Sequence, residues 1–393
     1  MTQESVVIVS GARTPMGGLQ GSLSDVSAVQ LGATAIKAAI ERAGVDVNNI
    51  DEAFIGNVLS AGLRQGPARQ ALLQAGGSSA TGCVTLNKLC GSGMQAAMYA
   101  YDSILAGTNQ CVVAGGMESM TNAPHLVMGA RGGVRTGHSQ FYDHMFFDGL
   151  EDASTSRMMG SFAQDTADAN KLTREEMDEF AILSLERAQK AIKDGTLDDE
   201  IVPVTIKTRR GETVVKDDEQ PLTAKIDKIP SLRPAFAKDG TITAANASSI
   251  SDGASALIIM SESAAREQGL KPLARIVGHA RHSRDPADFT LAPIGATKKL
   301  LDKIQWTADE VDLYEINEAF AMVTMLAVRD LKLDINKVNI YGGACAQGHP
   351  IGSTGSRLLV TLMYALQRNN LKKGVASLCI GGGEATAMAI ELI

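Results

Sequence analysis

Cys90 stands in Asn87-Lys88-Leu89-Cys90-Gly91-Ser92-Gly93, between a strand-like run at 83–86 and a helix-forming run at 94–105. This pattern predicts a strand, a tight turn and a helix, with a thiol at the corner. Gly91 and Gly93 let the backbone turn sharply and approach a ligand closely. A thiol beside the free N–H groups of a helix N-terminus is expected to favour its thiolate. Such a thiolate is a good nucleophile, and the same amides could hold a developing oxyanion. Three other stretches carry groups of matching chemistry. Asn317 sits in Glu315-Ile316-Asn317-Glu318-Ala319-Phe320, His349 in Gly348-His349-Pro350-Ile351-Gly352, and Cys379 before Ile380-Gly381-Gly382-Gly383. Taken singly, each has a plainer reading. Cys90 could be a buried structural cysteine, Asn317 a helix cap, His349 a turn histidine and Cys379 a small core residue. The other histidines (125, 138, 144, 279 and 282) lack such contexts and are read as structural or surface.

The elements that would position these groups follow from pattern. Residues 5–9 read as a buried strand, 28–43 as a helix capped by Ser27 and stopped by Gly44, and 53–58 as a second strand. A short helix at 69–75 precedes the Cys90 turn, and a strand at 111–114 follows its helix and ends in Gly115-Gly116-Met117-Glu118-Ser119. Alternating units of this kind indicate a layered α/β domain. From about 121 the pattern breaks. Thr173-Arg174-Glu175-Glu176 opens a helix to about 193, strands flank the Arg210-Gly211 turn, and 216–245 is loop-like with three prolines. At 256–260 a strand returns to the first sheet, and a second α/β series starts near 274.

The second series echoes the first. Asn57 after a strand is matched by Asn317, the Gly/Ser-rich turn near 90 by the one at 349–356, and the glycine-ended strand near 112 by the one near 376. The offset is about 260 residues throughout, as for a duplicated unit. Two copies packed together would bring matching loops face to face, so the Cys90 and His349 turns are expected to meet at the junction.

The totals limit the function classes. A chain of 393 residues, 45% hydrophobic and 21% charged, suits a soluble globular protein of two or three domains. A formal net charge of −7 with no dense Lys/Arg run argues against nucleic-acid or anionic-membrane partners. Five scattered cysteines argue against a disulfide framework, and none has the spacing of a zinc site. The apolar run at 6–9 is too short for a signal peptide or a membrane span, so a cytoplasmic location is expected. Eight Lys/Arg and six Asp/Glu lie between 204 and 240; they read as a solvated surface or as a site for a phosphorylated substrate tail.

Together, Asn-Lys-Leu-Cys-Gly-Ser-Gly, Asn-Glu-Ala-Phe-Ala, Gly-His-Pro-Ile-Gly and Cys-Ile-Gly-Gly-Gly resemble the thiolase family, in order and spacing, along essentially the whole chain. Ala-Arg-Thr-Pro near the start and Asn-Ala-Ser at 246–248 extend the resemblance. It implies an α/β fold of duplicated α-β-α-β-α layers with mixed five-stranded sheets and an inserted loop domain. The expected division is 1–120 with 246–270, an insert at 121–245, and 271–393. The implied reaction is the reversible Claisen condensation of two acetyl-CoA to acetoacetyl-CoA and CoA, by a ping-pong route. Cys90 would be the nucleophile, His349 its proton acceptor and Cys379 the base for the α-proton. One oxyanion hole would be His349 with a water held by Asn317, and the other the N–H groups of Cys90 and Gly381. Ser248, Met159, Phe236, Ala244, Ala319 and Phe320 would line the pantetheine tunnel. No metal or bound cofactor is implied, since CoA arrives on the substrate; a homodimer or homotetramer is, with contacts from residues 125–150 (Phe141, Tyr142, Phe146, Phe147), which have the plainer reading of lining the substrate tunnel or a local core.

Three departures bear on chain length: Met158 where His is common, Cys345 and Gln347 before His349, and Ala245 for a usual glycine. Alternatives are a longer-chain 3-ketoacyl-CoA thiolase of fatty acid β-oxidation, a decarboxylating ketoacyl synthase, against which Cys379 argues, and a non-catalytic lipid-binding homologue.

Overall fold

The computed structural model describes residues 4–209 and 211–393; Arg210, half of the expected Arg210-Gly211 turn, lies outside the described residues. Nine strands carry the fold: β1 (Val6–Arg13), β2 (Glu52–Gly56), β3 (Gly82–Leu86), β4 (Cys111–Ser119), β5 (Ser251–Ser261), β6 (Ala274–Ser283), β7 (Leu313–Ile316), β8 (Lys373–Ile380) and β9 (Glu384–Leu392). They form one mixed sheet in the order β7-β8-β9-β6-β1-β5-β4-β2-β3, with the short strand Gly17–Gly18 pairing off β5. The expected duplication is explicit in this order. In the first half β2 lies parallel to β3 and β4, and β5 runs antiparallel to β4 and β1. In the second half β7 lies parallel to β8, and β9 runs antiparallel to β8 and β6. The first half has five strands. In the second, the fifth place is held by a single bridge of Val338 to Tyr314. The halves join where β1 meets β6, Val7 opposite Arg275 and Ile8 opposite Ala274.

Side-chain alternation builds the layers. Val7 and Val9 of β1, with Val113 of β4 and Ile258 of β5, pack under the outer helix Ala28–Ala43. Val6, Ile8, Val112 and Leu257 point the other way, onto two inner helices, Ser92–Leu105 and Thr354–Arg368. The second half presents Leu378 and Met388 to the same inner helices, and Val375 and Ala387 to the outer helix Ala292–Ile304. Strands buried on both faces explain their continuous apolar runs. The order is helix, sheet, inner helices, sheet, helix.

The inner helices cross at their first turns. A Cβ on Gly93 would lie 2.7 Å from the backbone N of Ser356, and one on Gly355 would lie 2.3 Å from the backbone N of Met94. The contact is reciprocal, as a pseudo-twofold axis between copies requires. Both outer ends of the sequence pattern are capped locally: Ser27 and Gln30 form a capping box at Ala28–Ala43, and Thr173 and Glu176 one at Arg174–Lys193.

Residues between β4 and β5 hold the hairpin Val204–Thr208 with Gly211–Val215, and the helix Met159–Ala169, which the sequence pattern left undivided. Arg13, at the end of β1, clamps this region. Its guanidinium meets Asp218 through two bonds (2.7 and 2.9 Å) and Glu200 at 2.5 Å, and it is almost fully buried. No helix among the described residues is long and apolar enough to cross a membrane.

Candidate active site

β3 ends at Leu86, and the chain turns through residues 87–91 into the inner helix Ser92–Leu105. Two side chains close the turn. Asn87 Oδ1 accepts from Leu89 N (2.9 Å); Ser92 Oγ accepts from Lys88 N (2.8 Å) and donates to the Leu89 carbonyl (2.7 Å). Leu89 has φ 47°, a left-handed conformation that costs a non-glycine residue about 1–3 kcal/mol. Gly91 has a packing reason: a Cβ there would lie 2.3 Å from Ile380 Cδ1. The end of β8 therefore rests directly on the Cys90 turn, which brings Cys379 and Gly381 to Cys90.

His349 arrives from the matching turn of the second copy. Its ring is buried, and Nδ1 lies 2.7 Å from Thr354 Oγ1. Because Thr354 donates to the Pro350 carbonyl (3.0 Å), it accepts from His349. The proton is thereby assigned to Nδ1. Nε2, which has no protein hydrogen-bond partner, is left with its lone pair.

Cys90, His349, Cys379 and Gly381 line one cavity of about 520 Å³. Ser248, Met159, Phe236, Ala244, Ala319 and Phe320 line the same cavity. Residues 247–248 reach this wall by pairing with 319–320: Ala247 bridges Phe320, and Ser248 N donates to the Ala319 carbonyl (2.9 Å). The Phe236 and Phe289 rings meet Phe320 edge-on, at 6.2 and 6.4 Å between centroids. Asn317 is different. It is fully buried at the end of β7, both atoms of its side-chain amide lack protein partners, and it is not among the residues lining this cavity.

A second cavity, about 210 Å³, shares Gln220, Ala244 and Ser249 with the first. Lys225, Lys228, Ala245 and Cys345 border it. Two of the three sequence departures thus fall here, while Met158 lines the larger cavity. Gln347 lines neither; it donates to the Tyr341 carbonyl (3.0 Å).

The electrostatics correct one expectation. Burial pushes the Cys90 thiol up to about 11, against the N–H groups of Gly381 and Cys90 itself, which pull it down. The helix N-terminus does not produce a resting thiolate. Burial, then the charge of Arg357, pushes His349 down to about 3. Cys379 is raised well above an ordinary thiol by burial, and next by charge on Cys90. At neutral pH the site therefore holds two thiols and a neutral imidazole. The imidazole offers a lone pair at Nε2, and two N–H groups already converge on the Cys90 sulfur.

Sequence reasoning missed part of the wall. Met120, Gly149, Leu150, Ile250, Phe289 and Ile351 line the larger cavity, and so does Phe146, for which a place in the tunnel was the plainer of two readings. Phe146, Gly149 and Leu150 come from one π-helical turn, Phe146–Leu150, which no local periodicity announces. Phe146 turns inward, whereas Phe141 is 73% exposed and Phe147 packs on Tyr142. Thr354 was also missed, although it lies in the same Gly/Ser-rich turn as His349.

A duplicated α/β protein that gathers two cysteines and a histidine where its halves meet is a narrowly defined class. Residues 6–263 match the family model of the thiolase N-terminal domain and residues 270–392 that of the thiolase C-terminal domain, and the chain belongs to the thiolase family. It is 47% identical to the acetyl-CoA acetyltransferase of Cupriavidus necator, over 98% of this chain and 99% of that one. To the acetyl-CoA acetyltransferase of Escherichia coli (strain K12) it is also 47% identical, over 99% of each chain. Among solved structures, the Acat5 thiolase of Ascaris suum in complex with coenzyme A superposes with a TM-score of 0.93 at 41% identity, covering 99% of this chain and 100% of that one. The Bacillus anthracis acetyl-CoA acetyltransferase superposes with a TM-score of 0.97 at 41% identity, covering 100% and 99%.

Proposed function

We propose that the protein is an acetyl-CoA C-acetyltransferase that condenses two acetyl-CoA to acetoacetyl-CoA and CoA, and runs the reverse thiolysis, through an acyl-Cys90 intermediate. The observation that carries this reading is the meeting of Cys90, His349, Cys379 and Gly381 on one cavity that continues along Ser248, Phe236 and Phe320. The names of the relatives support the substrate: CoA is bound in the Ascaris structure, and acetyl-CoA acetyltransferase is the activity named for the others.

In the first half-reaction the Cys90 proton passes to His349 Nε2 as sulfur attacks the thioester carbon. The C–S bond to CoA breaks, and the imidazolium returns that proton to the departing CoA sulfur. The N–H groups of Cys90 and Gly381 face the developing oxyanion; one such donor is worth roughly 10²–10³ in rate. In the second, the Cys379 proton passes to His349 Nε2, free again once CoA has left, and the Cys379 thiolate removes the α-proton of a second acetyl-CoA. The resulting carbon attacks the acyl group, the C–S bond to Cys90 breaks, and the imidazolium returns its proton to the departing Cys90 sulfur. Burial keeps Cys379 protonated at rest and makes it a strong base once ionised. Acylation replaces the Cys90 thiol with an uncharged thioester, so a Cys379 thiolate then meets no second ionisable thiol. Asn317, with an unpaired amide, is assigned to the second oxyanion hole through a water. The group delivered by CoA is substrate, and this scheme uses no metal.

Residues 1–120 with 246–270 are assigned to the nucleophile domain, 121–245 to an insert that carries the tunnel wall, and 271–393 to the domain of Asn317, His349 and Cys379. Return of β5 to the first half of the sheet supports this division. We assign the protein to the cytoplasm, as a dimer or tetramer. β3 leaves one edge of the sheet unpaired among the described residues, with Val84 exposed, and such edges invite pairing. Exposed Met128, Val134 and Phe141 offer a second surface. Light scattering that gives a monomer at working concentration would remove the oligomer from this reading.

The test of the reaction is direct. Acetoacetyl-CoA and CoA should give acetyl-CoA, and acetyl-CoA alone should release one CoA per site in a burst. Cys90→Ser should lose the burst, while Cys379→Ser should keep it and condense slowly. No thiolysis of any 3-ketoacyl-CoA by the wild-type protein would overturn the reading. A longer-chain preference is favoured by one observation, the apolar wall of Met120, Phe146, Leu150 and Met158. Thiolysis rates across 3-ketoacyl-CoA lengths decide between the two.

A further inference from the structure

The two halves can be aligned by register alone. Gly56 of β2 pairs with Gly116 of β4, and Ile316 of β7 pairs with Ser377 of β8. Two residues beyond Gly116 is Glu118; two beyond Ser377 is Cys379. The inner helices begin at Ser92 and Thr354, so Cys90 corresponds to Gly352. The counterpart of the Cys379–Cys90 meeting is therefore Glu118 against Gly352. In the first half that place is filled by a carboxylate, in a strand otherwise made of small and apolar residues.

Glu118 is fully buried, and every neighbour it bonds is a donor. Oε1 accepts from Asn57 Nδ2 (2.8 Å) and Leu59 N (3.1 Å); Oε2 accepts from Val58 N (3.0 Å) and Gly352 N (2.9 Å). One set of bonds reaches the His349 turn through Gly352, three residues on. The other reaches the Cys90 turn: the Val58 carbonyl accepts from Asn87 Nδ2 (3.4 Å), and Asn87 Oδ1 holds Leu89 N. No other side chain bonds directly to both the Gly352 turn and the 57–59 loop among the described residues. Four donors and no acceptor also define the species, an ionised carboxylate. Burial pushes this group up to about 7, with the charge of Asp252 adding to the shift and the N–H groups of residues 58, 59 and 352 opposing it.

Building on the acyl-Cys90 reading above, we propose that Glu118 is a positioning residue for acyl transfer: a strut in the inactive copy of the duplicated site that sets the Cys90 turn against the His349 turn. Proton transfer from Cys90 to Nε2 needs hydrogen-bond geometry, and displacement of about 1 Å can cost 10²-fold in rate. The pantetheine wall stands on other elements, so binding of CoA is independent of the strut.

The experiment compares full-length wild-type protein, Glu118→Gln and Gly352→Ala. In Glu118→Gln an amide NH₂ faces two of the four donors. In Gly352→Ala the added Cβ would lie 2.6 Å from Glu118 Oε2 and 2.8 Å from the Met117 carbonyl, so the same contact is broken from the other side. Both variants are expected to lower the rate of the CoA burst about 10²-fold, with KM for acetyl-CoA changed less than about 3-fold. The double variant should be no slower than the slower single one, since both remove one contact. Alkylation of Cys90 by iodoacetamide against pH separates charge from position. Glu118 faces Asp252 and Cys90, and Cys90 faces Glu118, Cys379 and His349. Loss of the Glu118 charge should move the alkylation profile of Glu118→Gln to lower pH, and Gly352→Ala should leave it in place. If Glu118→Gln does not fold, Gly352→Ala alone decides through its burst rate. A wild-type burst rate in Gly352→Ala, or in Glu118→Gln a loss matched by an equal rise in KM, overturns the strut. If the wild-type protein gives no burst, the acyl-Cys90 reading falls; the alkylation profile then judges Glu118, and an unshifted profile overturns its link to Cys90.

Discussion

Thr354 Oγ1 lies 2.7 Å from His349 Nδ1 and donates its own proton to the Pro350 carbonyl at 3.0 Å. One hydroxyl has one proton, so this pair of contacts selects the imidazole tautomer with a bare Nε2. The expected consequence is that Thr354→Val, which removes the acceptor, slows acylation of Cys90 by roughly 10–100-fold, less than the roughly 10²–10⁴-fold that general-base catalysis contributes in full, since the imidazole itself remains. Thr354→Ser keeps the hydroxyl and should remain within about 3-fold of wild type. Rapid-quench measurement of the CoA burst reads both variants. Equal rates in Thr354→Val and wild type would show that the tautomer is set elsewhere.

The neutral state of His349 gives a pH dependence with a definite sign. Burial holds the folded imidazole down at about 3, whereas an unfolded histidine titrates near 6.5. Between these values the unfolded chain binds a proton that the folded chain does not, so this group lowers stability as pH falls through that window. Glu118 and Glu315, raised to about 7 and about 8 by burial, work in the opposite direction between about pH 4.5 and their folded values. His349→Asn removes only the histidine contribution. Its melting temperature relative to wild type should therefore rise on going from pH 7.5 to pH 5. A difference that stays constant over that range would contradict a neutral buried imidazole.

What could be read from the sequence, and what could not, divides along physical lines. Ser27 with Gln30 and Thr173 with Glu176 are local capping contacts, so residues three apart were enough to place two helix starts. The meeting of the Cys90 and His349 turns was legible because the duplicated pattern implies apposed loops, whereas Cys379 and Gly381 were expected there only through the family resemblance. The charge state of Cys90 was not, since it depends on burial by residues far along the chain. Burial there outweighs two N–H donors. Glu118 was passed over as the end of a strand, although a carboxylate in a run of Val, Ala and Gly is a signal. The wall residues Phe146 and Leu150 lie in a π-helical turn without periodicity, where only tertiary contact decides which ring faces inward.

Chain-length preference should respond to the wall that Met120 and Met158 share. Both line the cavity, and Met158 precedes the helix Met159–Ala169 without a side-chain cap of its own. Neither side chain belongs to the reacting set, so truncation enlarges the acyl side while leaving the chemistry intact. Methylene-sized changes in apolar pockets are worth about 10–200-fold in discrimination. Met158→Ala and Met120→Ala are each expected to raise kcat/KM for a six-carbon 3-ketoacyl-CoA relative to acetoacetyl-CoA by roughly 10-fold. Steady-state thiolysis with the two substrates measures the ratio. A ratio unchanged in both variants would place the acyl chain against another wall.

Stability of the duplicated architecture should depend sharply on the crossing of the inner helices. Gly93 and Gly355 occupy equivalent first-turn positions, and each faces the backbone of the other helix. A Cβ on Gly355 would lie 2.3 Å from Met94 N and 2.8 Å from Met94 Cβ; one on Gly93 would lie 2.6 Å from Ser356 Oγ and 2.7 Å from Ser356 N. Backbone atoms anchored in helices cannot swing aside as a flexible side chain does, so alanine must push the helices apart. The sheets on either side are packed against those helices through Leu257, Leu378 and Met388, and resist the separation. Gly355→Ala and Gly93→Ala should therefore each destabilise the fold by about 1–3 kcal/mol or more, as overpacking of a dense core does. Because each substitution separates the same pair of helices, the double variant should cost less than the sum of the two. Urea denaturation of the three variants measures this. Full additivity would mean that the two glycines relieve separate contacts and that the crossing is not a shared constraint.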